Sequence, residues 1–416
     1  MKKKVQKIKK VNNGGGGGDV KPSYAANIKV VGIGGGGCSA ISRMKESGDL
    51  RGIEFVAINT DAQDLDFCSV RKRLYVGKNL TKGLGTGMNP ELGRQAAEEN
   101  RSEIVESLKG ADLIFLAAGL GGGTGSGASP VIAEAAREIG ALTIAVVTKP
   151  FAFEGAQRSR IAAEALTKLK EKVDAYIVVP NDRVFNIISK DTPILKAFHI
   201  IDDVLKSAVS GIAELVAQHG NVNVDFADVK AIMQNTGTAV VAVGLASGQE
   251  RAVNAVNAAI NSPLLETSIE GAKGVLFGVS GGRDLKMNEI NEIAKVIGAS
   301  IDPSARIIFG AYHDKRVKQG SIKVTLIATN FSGSTTAKTE NTNASLFNTT
   351  STTSSEFKPA HATPLVLPVV ANSAILSKEL KEESKKEKEI DKNLALKKKA
   401  ADVWDIPTFL RRNRRD

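Results

Sequence analysis

The stretch Gly121-Gly122-Gly123-Thr124-Gly125-Ser126-Gly127 limits what this chain can become more than anything else in it. It is entered from the apolar run Leu113 to Ala117 and left through a helical pattern beginning at Ser129. Glycine is poor material for the interior of a helix or strand, so glycines concentrated between the two serve a backbone that something must approach closely. A helix N-terminus beyond such a turn offers unpaired N–H donors and a partial positive charge, which together suit a phosphate. A flexible linker is the rival reading. It describes Gly14 to Gly18, which have no strand before them and no helix after.

An earlier turn has the same construction. Ile28 to Ile33 reads as a strand and runs into Gly34-Gly35-Gly36-Gly37, followed by the helix-compatible segment Cys38 to Glu46. Alone it fits a dinucleotide-binding Rossmann enzyme as well as a triphosphate binder, with Asp61 in the position of a ribose-binding acid. A dinucleotide enzyme has no use for two cradles, and no Gly-Lys-Ser/Thr follows either run, which excludes a P-loop. The expected phosphate contacts are therefore backbone N–H groups, the hydroxyls of Thr124 and Ser126, and a hydrated Mg²⁺ in place of a lysine.

The Gly121 to Gly127 segment resembles the signature loop of the tubulin/FtsZ superfamily, and other segments agree in order and spacing. Asn59-Thr60-Asp61 resembles the family's second loop and Gly83 to Arg94 its third. Pro150 to Arg158, with Glu154 and Arg158, resembles the ribose and phosphate contacts, and Pro180-Asn181-Asp182-Arg183 the start of base recognition. The resemblance covers about residues 27–331 and the last dozen, and its motifs point to the FtsZ branch. It implies a GTPase that binds GTP or GDP with Mg²⁺, polymerises head to tail with itself and scaffolds the bacterial cell-division ring. Two departures stand out. Cys38 and Ser39 replace the Asn common in the first loop, and Thr86 and Met88 replace small residues in the third. Ser39 can still donate to a phosphate, whereas Cys38 is a weak donor, so nucleotide affinity is expected to differ.

Phe198 and Asp202 fall one helical turn apart and so share a face. Phe198 would stack on the base, and the Asp202 carboxylate would accept two donors from guanine, where adenine presents an acceptor. A core phenylalanine beside a solvated aspartate is the local alternative. Asn223-Val224-Asp225-Phe226-Ala227-Asp228 resembles the family's synergy loop, which implies that Asn223, Asp225 and Asp228 act on the GTP of the next subunit; by position alone the two acids could be helix caps. Neither glycine loop supplies a group to position the attacking water, on which phosphoryl transfer depends. A contact between two different surfaces of identical chains builds an open filament when its rotation does not close.

Short β-branched runs alternate with helical patterns over residues 27–197, which predicts an α/β, Rossmann-like doubly wound domain, and the resemblance implies that it is the GTP-binding domain. The predicted strands are Ile28 to Ile33, Phe55 to Ile58, Leu113 to Ala117, Leu142 to Val147 and Ala175 to Val179, with amphipathic helical stretches such as Glu91 to Lys109 and Gly155 to Lys170 between them. A long central helix is expected over residues 198–220, within the apolar-periodic segment Ile194 to His219. It leads into a smaller α+β domain over residues 221–331. Residues 1–26 read as a disordered basic tail, 332–400 as a disordered linker and 401–416 as a partner-binding peptide.

The chain has 416 residues, 42% of them hydrophobic, enough for two packed domains with tails. Its net charge of +11 invites a nucleic-acid reading. Most of that charge lies in residues 1–26, with seven Lys against one Asp, and in residues 332–400, with eleven Lys against eight acids. The folded body is near neutral, so no specific nucleic-acid binding is expected. Cys38 and Cys68, the two cysteines, sit in no CxxC or His-rich pattern, so no disulfide framework or metal-ligand set is expected. No apolar run of about 18 residues occurs, and the Lys-rich start passes into glycine, so a cytoplasmic setting without insertion is expected, and the resemblance implies a place at the division site beneath the membrane. Asp405 to Arg412 resembles the family's C-terminal peptide, which implies membrane-tethering division proteins as partners, and its Ile406, Phe409 and Leu410 make an apolar stripe that suits a partner groove. A nicotinamide oxidoreductase and a DNA-segregating or non-hydrolysing filament are the competing classes. The first leaves Asp225 and Asp228 unexplained, and the intact loops and the terminal peptide argue against the second.

Overall fold

The computed structural model describes residues 26–331 apart from 49, 51, 190, 218, 219, 264 and 315. The linker, the C-terminal peptide and all of the basic N-terminal tail except Ala26 lie outside the described residues. The first half alternates strand and helix: β1 Ile28–Ile33, α1 Gly34–Glu46, β2 Glu54–Asn59, α2 Ala62–Phe67, β3 Lys72–Tyr75, α3 Lys78–Thr81, α4 Pro90–Glu99, α5 Arg101–Leu108, β4 Leu113–Gly119, α6 Gly123–Glu138, β5 Leu142–Lys149, α7 Ala156–Lys170 and β6 Ala175–Pro180. Helix α8, Ile194–Ala217, leads into α9 Phe226–Met233, β7 Gly237–Ser247, α10 Arg251–Ile260, β8 Ala272–Gly281, α11 Met287–Ser300, β9 Arg306–His313 and β10 Ser321–Phe331.

Strands β3-β2-β1-β4-β5-β6 form a parallel sheet in that spatial order. Every residue of β1 is buried, as are the first six of β4, because helices cover both faces; the strands therefore read as unbroken apolar runs. Cys38, Ile41 and Met44 of α1 pack on one face with residues of α8, and Ile104, Ile132 and Leu166 pack on the other. Beyond β6 the order continues β7-β10-β8-β9, with β10 antiparallel to both neighbours. The two domains are joined by more than the central helix. Ala175 and Tyr176 of β6 pair in parallel with Gly237 and Thr238 of β7, so one ladder crosses the boundary.

Helix α8 starts four residues before the predicted boundary of 198 and ends at Ala217. Its apolar face, including Leu205, Val209 and Ile212, packs with Ile177 and Val179 of the first domain and with Leu276, Tyr312 and Ile327 of the second. Glu214 accepts from Arg316 and Lys323 at 2.8 Å each, pinning the far end of the helix to the second domain. The amphipathic stretch Glu91 to Lys109 forms two helices, α4 and α5. The break falls at Asn100, whose side-chain oxygen accepts from Gly77 N–H at 2.8 Å. No helix among the described residues is long and apolar enough to cross a membrane.

Candidate functional site

Gly34 to Gly37 and the second run from Gly123 onward lie inside helices rather than before them, with Gly121 and Gly122 leading into the second helix. Helix α1 begins at Gly34 and α6 at Gly123, against predicted starts at Cys38 and Ser129. Close packing explains why glycine overrides helix propensity here. A Cβ on Gly37 would lie 2.3 Å from Ala117 O, and one on Gly125 2.3 Å from Gly119 O. The two N-termini also meet each other, since a Cβ on Gly34 would lie 3.0 Å from Gly125 N. Two sets of orphan N–H donors and two positive dipole ends thus converge on one place.

That place is a cleft of about 690 Å³ at the C-terminal ends of the parallel strands. Gly34, Gly35, Gly36 and Ser39 line it from α1, and Gly122, Gly123, Thr124 and Gly125 from the α6 turn. Four predicted contacts fall outside the lining. Gly37 is packed against Ala117, and Gly127 has room for no side chain because Pro90 O would lie 1.9 Å from its Cβ. Gly121 takes a positive φ of 104°, and its N–H donates to the buried Ser126 hydroxyl at 2.9 Å, so these two brace the turn.

The other end of the cleft is built by α8 and the segments after β5 and β6. Phe198 is 40% exposed and meets Phe151 edge-on at 5.8 Å, so it is a free ring on a fixed base rather than core. Asp202 is only 9% exposed, and burial pushes its carboxyl up to about 6 although Arg43 of α1 forms an ion pair with it. Asn181 is buried, and its Oδ1 has no hydrogen-bond partner among the described residues. Glu154 accepts from Phe151 N–H at 2.9 Å and from Arg158 at 2.6 Å, which holds both side chains at the cleft wall.

Sequence reasoning missed several lining residues. Arg43 stands one turn beyond Ser39 on the same face of α1, a spacing that could have revealed it. Asp61 and Asp64 also face the cleft; Asp61 caps α2 through Gln63 N–H at 2.9 Å, and Asp64 accepts from Asn59 at 3.3 Å. Cys38 turns away, its buried thiol directed at Gly32 O and Ile58 O, so the weak-donor concern does not apply. Among the described residues no group of three His, Cys, Asp or Glu could hold a metal ion by itself.

Asn223, Asp225 and Asp228 do not line the cleft. They follow the other end of α8, a helix of 24 residues, roughly 36 Å long at about 1.5 Å per residue. Asp225 is the N-cap of α9, yet its side chain makes no capping hydrogen bond, and it is exposed. Asp228 lies 3.9 Å from Arg306, and Asn223 accepts from Gly220 N–H at 2.6 Å.

Residues 27–189 match the GTPase domain of the tubulin/FtsZ family, and residues 237–332 the C-terminal domain of the FtsZ family. An empty FtsZ dimer from M. jannaschii is similar with 44% identity and a TM-score of 0.69, the match covering 74% of this chain and 88% of that one. A tryptophan-to-tyrosine mutant of M. jannaschii FtsZ is similar at the same identity and TM-score, covering 73% and 91%. A GTPγS-bound protofilament of CetZ2 from Haloferax volcanii shares the fold at 23% identity and a TM-score of 0.62, covering 73% and 92%.

Proposed function

The chain belongs to the tubulin/FtsZ family of GTPases, and we propose that it binds GTP in the cleft between α1, α6 and α8 and hydrolyses it when a second copy supplies Asn223, Asp225 and Asp228. The observation that carries this reading is the separation of two halves of one site: the cleft lined by the first half of α8, and the acids beyond its other end, Asp225 without a capping bond and Asp228 beside Arg306. Stacking copies head to tail would bring the acid loop of one onto the cleft of the next, and such a contact continues indefinitely into a filament.

Strand order supports one direction for the nucleotide. Asn181 follows β6, whereas Asn59 ends β2 and Asp61 follows it, four strands away in the sheet, roughly 19 Å at about 4.8 Å per step. The base lies at the β6 and α8 end, where Phe198 stacks on it. Guanine donates two N–H groups to Asp202, whose buried carboxylate would stay poorly paired against adenine. Asn181 Oδ1 accepts a further donor, while Glu154 and Arg158 flank the sugar. Backbone N–H groups of Gly34 to Gly36 and Gly122 to Gly125, with the Ser39 hydroxyl, hold the phosphates. Asp61 and Asp64, which line the cleft, would help hold a hydrated Mg²⁺ beside the phosphates, and the ion would neutralise developing phosphate charge. Asp225 and Asp228 of the neighbouring copy orient the attacking water.

A second reading rests on Asp61 and Asp64, which already face the cleft and could position water without a partner. Phosphate release from GTP and from ATP, followed with light scattering over about a hundredfold range of protein concentration, separates the two. The shared site predicts activity with GTP that rises per molecule above a threshold, together with scattering. Constant specific activity would favour the self-contained site. In the cell we propose a division-site scaffold beneath the membrane, recruited through Asp405 to Arg412. The relatives from M. jannaschii and Haloferax volcanii widen that setting beyond bacteria.

A further inference from the structure

Cys38 and Cys68, the two cysteines of the chain, come from different elements and meet in one core cluster. Cys38 lies in the second turn of α1, and Cys68 is the residue that caps the end of α2. Cys68 Sγ lies 3.8 Å from Cys38 O and 3.0 Å from the Oγ of Ser42, one turn further along α1. The two thiols also hydrogen-bond each other. The segment around Cys68 is fastened to the same helix. Ser69 N–H donates to Ser42 Oγ at 3.3 Å, Ser69 Oγ to Ser42 O at 3.3 Å, and Lys45 to Ser69 O at 2.6 Å. A single buried cysteine packs as a small apolar residue, and core packing would account for either one alone. Two sulfurs pressed together between anchored backbones need little movement to bond.

The two sulfurs are not equivalent. Hydrogen bonds from Cys38, Ser42 and the Val70 N–H, with Arg73 nearby, push the Cys68 thiol down to about 5, so it is a thiolate at neutral pH. The same contact, with burial, pushes the Cys38 thiol up, so it keeps its proton. Access differs too. The Cys38 thiol is enclosed and directed at Gly32 O and Ile58 O, whereas Cys68 follows Phe67, which is 90% exposed, at the end of a helix of only six residues. Opening that short end uncovers Cys68 first. We infer that Cys68 is a hydroperoxide-reactive thiol and Cys38 its resolving partner, the two closing into a reversible disulfide between α1 and the end of α2. The Cys68 thiolate attacks one oxygen of the hydroperoxide; an S–O bond forms, the O–O bond breaks, and the other oxygen takes a proton and leaves as water or alcohol. The charge on Cys68 is then gone, and with it the contact that held the proton on Cys38. The Cys38 sulfur attacks the Cys68 sulfur, an S–S bond forms, and hydroxide leaves with the Cys38 proton as water. The pair has lost two electrons and the hydroperoxide has gained them. Ser39 follows Cys38, and Asp61 and Asp64 at the start of α2 line the same cleft, so the bond joins two walls of the phosphate cradle. On the guanine-nucleotide reading above, oxidation of the pair slows GTP turnover.

The full chain is reduced, freed of reductant and treated with hydrogen peroxide in small molar excess, and its cysteine peptides are mapped by mass spectrometry. The expected product joins the Cys38 and Cys68 peptides within one chain, is lighter by two hydrogens, and is reopened by dithiothreitol. In Cys38→Ala, which lacks the resolving thiol, Cys68 should accumulate as a sulfenic acid that dimedone traps. In Cys68→Ala, Cys38 should stay unoxidised at the same dose. Phosphate release from GTP should fall roughly tenfold in the oxidised parental chain, return on reduction, and be unmoved by peroxide in Cys68→Ala. Thiols that remain free, crosslinks only between chains, or equal oxidation of the two cysteines in the single variants would overturn the assignment. A disulfide that leaves turnover unchanged overturns its link to the cleft. A reduced chain that turns over no GTP overturns the guanine-nucleotide reading, and the peptide map still decides the pairing. Should an alanine variant fail to fold, the map of the parental chain decides it alone.

Discussion

Asp202 combines two demands that pull against each other. Burial raises its carboxyl to about 6, above the ordinary 3.8, while base recognition needs it ionised. A carboxyl that prefers to be neutral in the fold adds most to stability below its unfolded value, and that contribution is lost as pH rises through the window from 3.8 to about 6. Nucleotide binding has the opposite sign, because only the ionised form accepts both guanine donors. GTP affinity is therefore expected to fall as pH drops below about 6, and titrations from pH 5 to 8 should lose this step in Asp202→Ala. The same substitution should weaken GTP by more than about tenfold and narrow its advantage over ATP, read in competition binding. Equal binding of both nucleotides by the parental chain would refute the role of Asp202.

Helices α1, α6 and α9 carry the chemistry of their first turns, and substitutions there separate packing from catalysis. In Gly127→Ala the new Cβ would lie 1.9 Å from Pro90 O, forcing α4 away from α6, so a loss of about 2–3 kcal/mol is expected in chemical denaturation. Asp225→Asn and Asp228→Asn remove no capping bond and should leave stability within about 0.5 kcal/mol. Each should retain GTP and lose most hydrolysis, with longer-lived polymer. Parental turnover in either would reduce that residue to a surface acid. The elements that sequence made legible were those with sustained apolar periodicity, such as β1, β4, β5 and α8. Those it missed lack that signal: β3 is a four-residue, partly exposed edge strand, and α2 is a six-residue helix held by its Asp61 cap. The starts of α1 and α6 were misplaced because glycine argues locally against helix, while the backbone contacts that require it come from residues such as Ala117 and Pro90, distant in sequence. Phosphate and base residues were readable as motifs, but Arg43 with Asp202 and Cys38 with Cys68 come together only through folding.

At the scale of the whole molecule, α8 is a spacer tied to both domains, and it runs about 18 Å, at about 1.5 Å per residue, from Leu205, the last of its residues to line the cleft, to Ala217 ahead of the acid loop. No bending of one subunit closes that distance, so complementary defects should rescue each other. Asp225→Asn has an intact cleft and a disabled acid loop; Asp202→Ala has an intact acid loop and a cleft that binds GTP poorly. Each alone is expected to hydrolyse little. In an equal mixture, random pairing puts an intact cleft against an intact loop at about one interface in four, so specific activity should recover toward a quarter of the parental value. Any preference of Asp202→Ala for the end of a polymer would lower the recovered fraction without abolishing it. Phosphate release is measured for each variant, for the mixture and for a mixture diluted below the assembly threshold, where the recovery should vanish. A mixture no more active than the average of its components, at concentrations where light scattering reports polymer, would mean that each chain completes its own site, and Asp61 and Asp64 would then be the acids to substitute next.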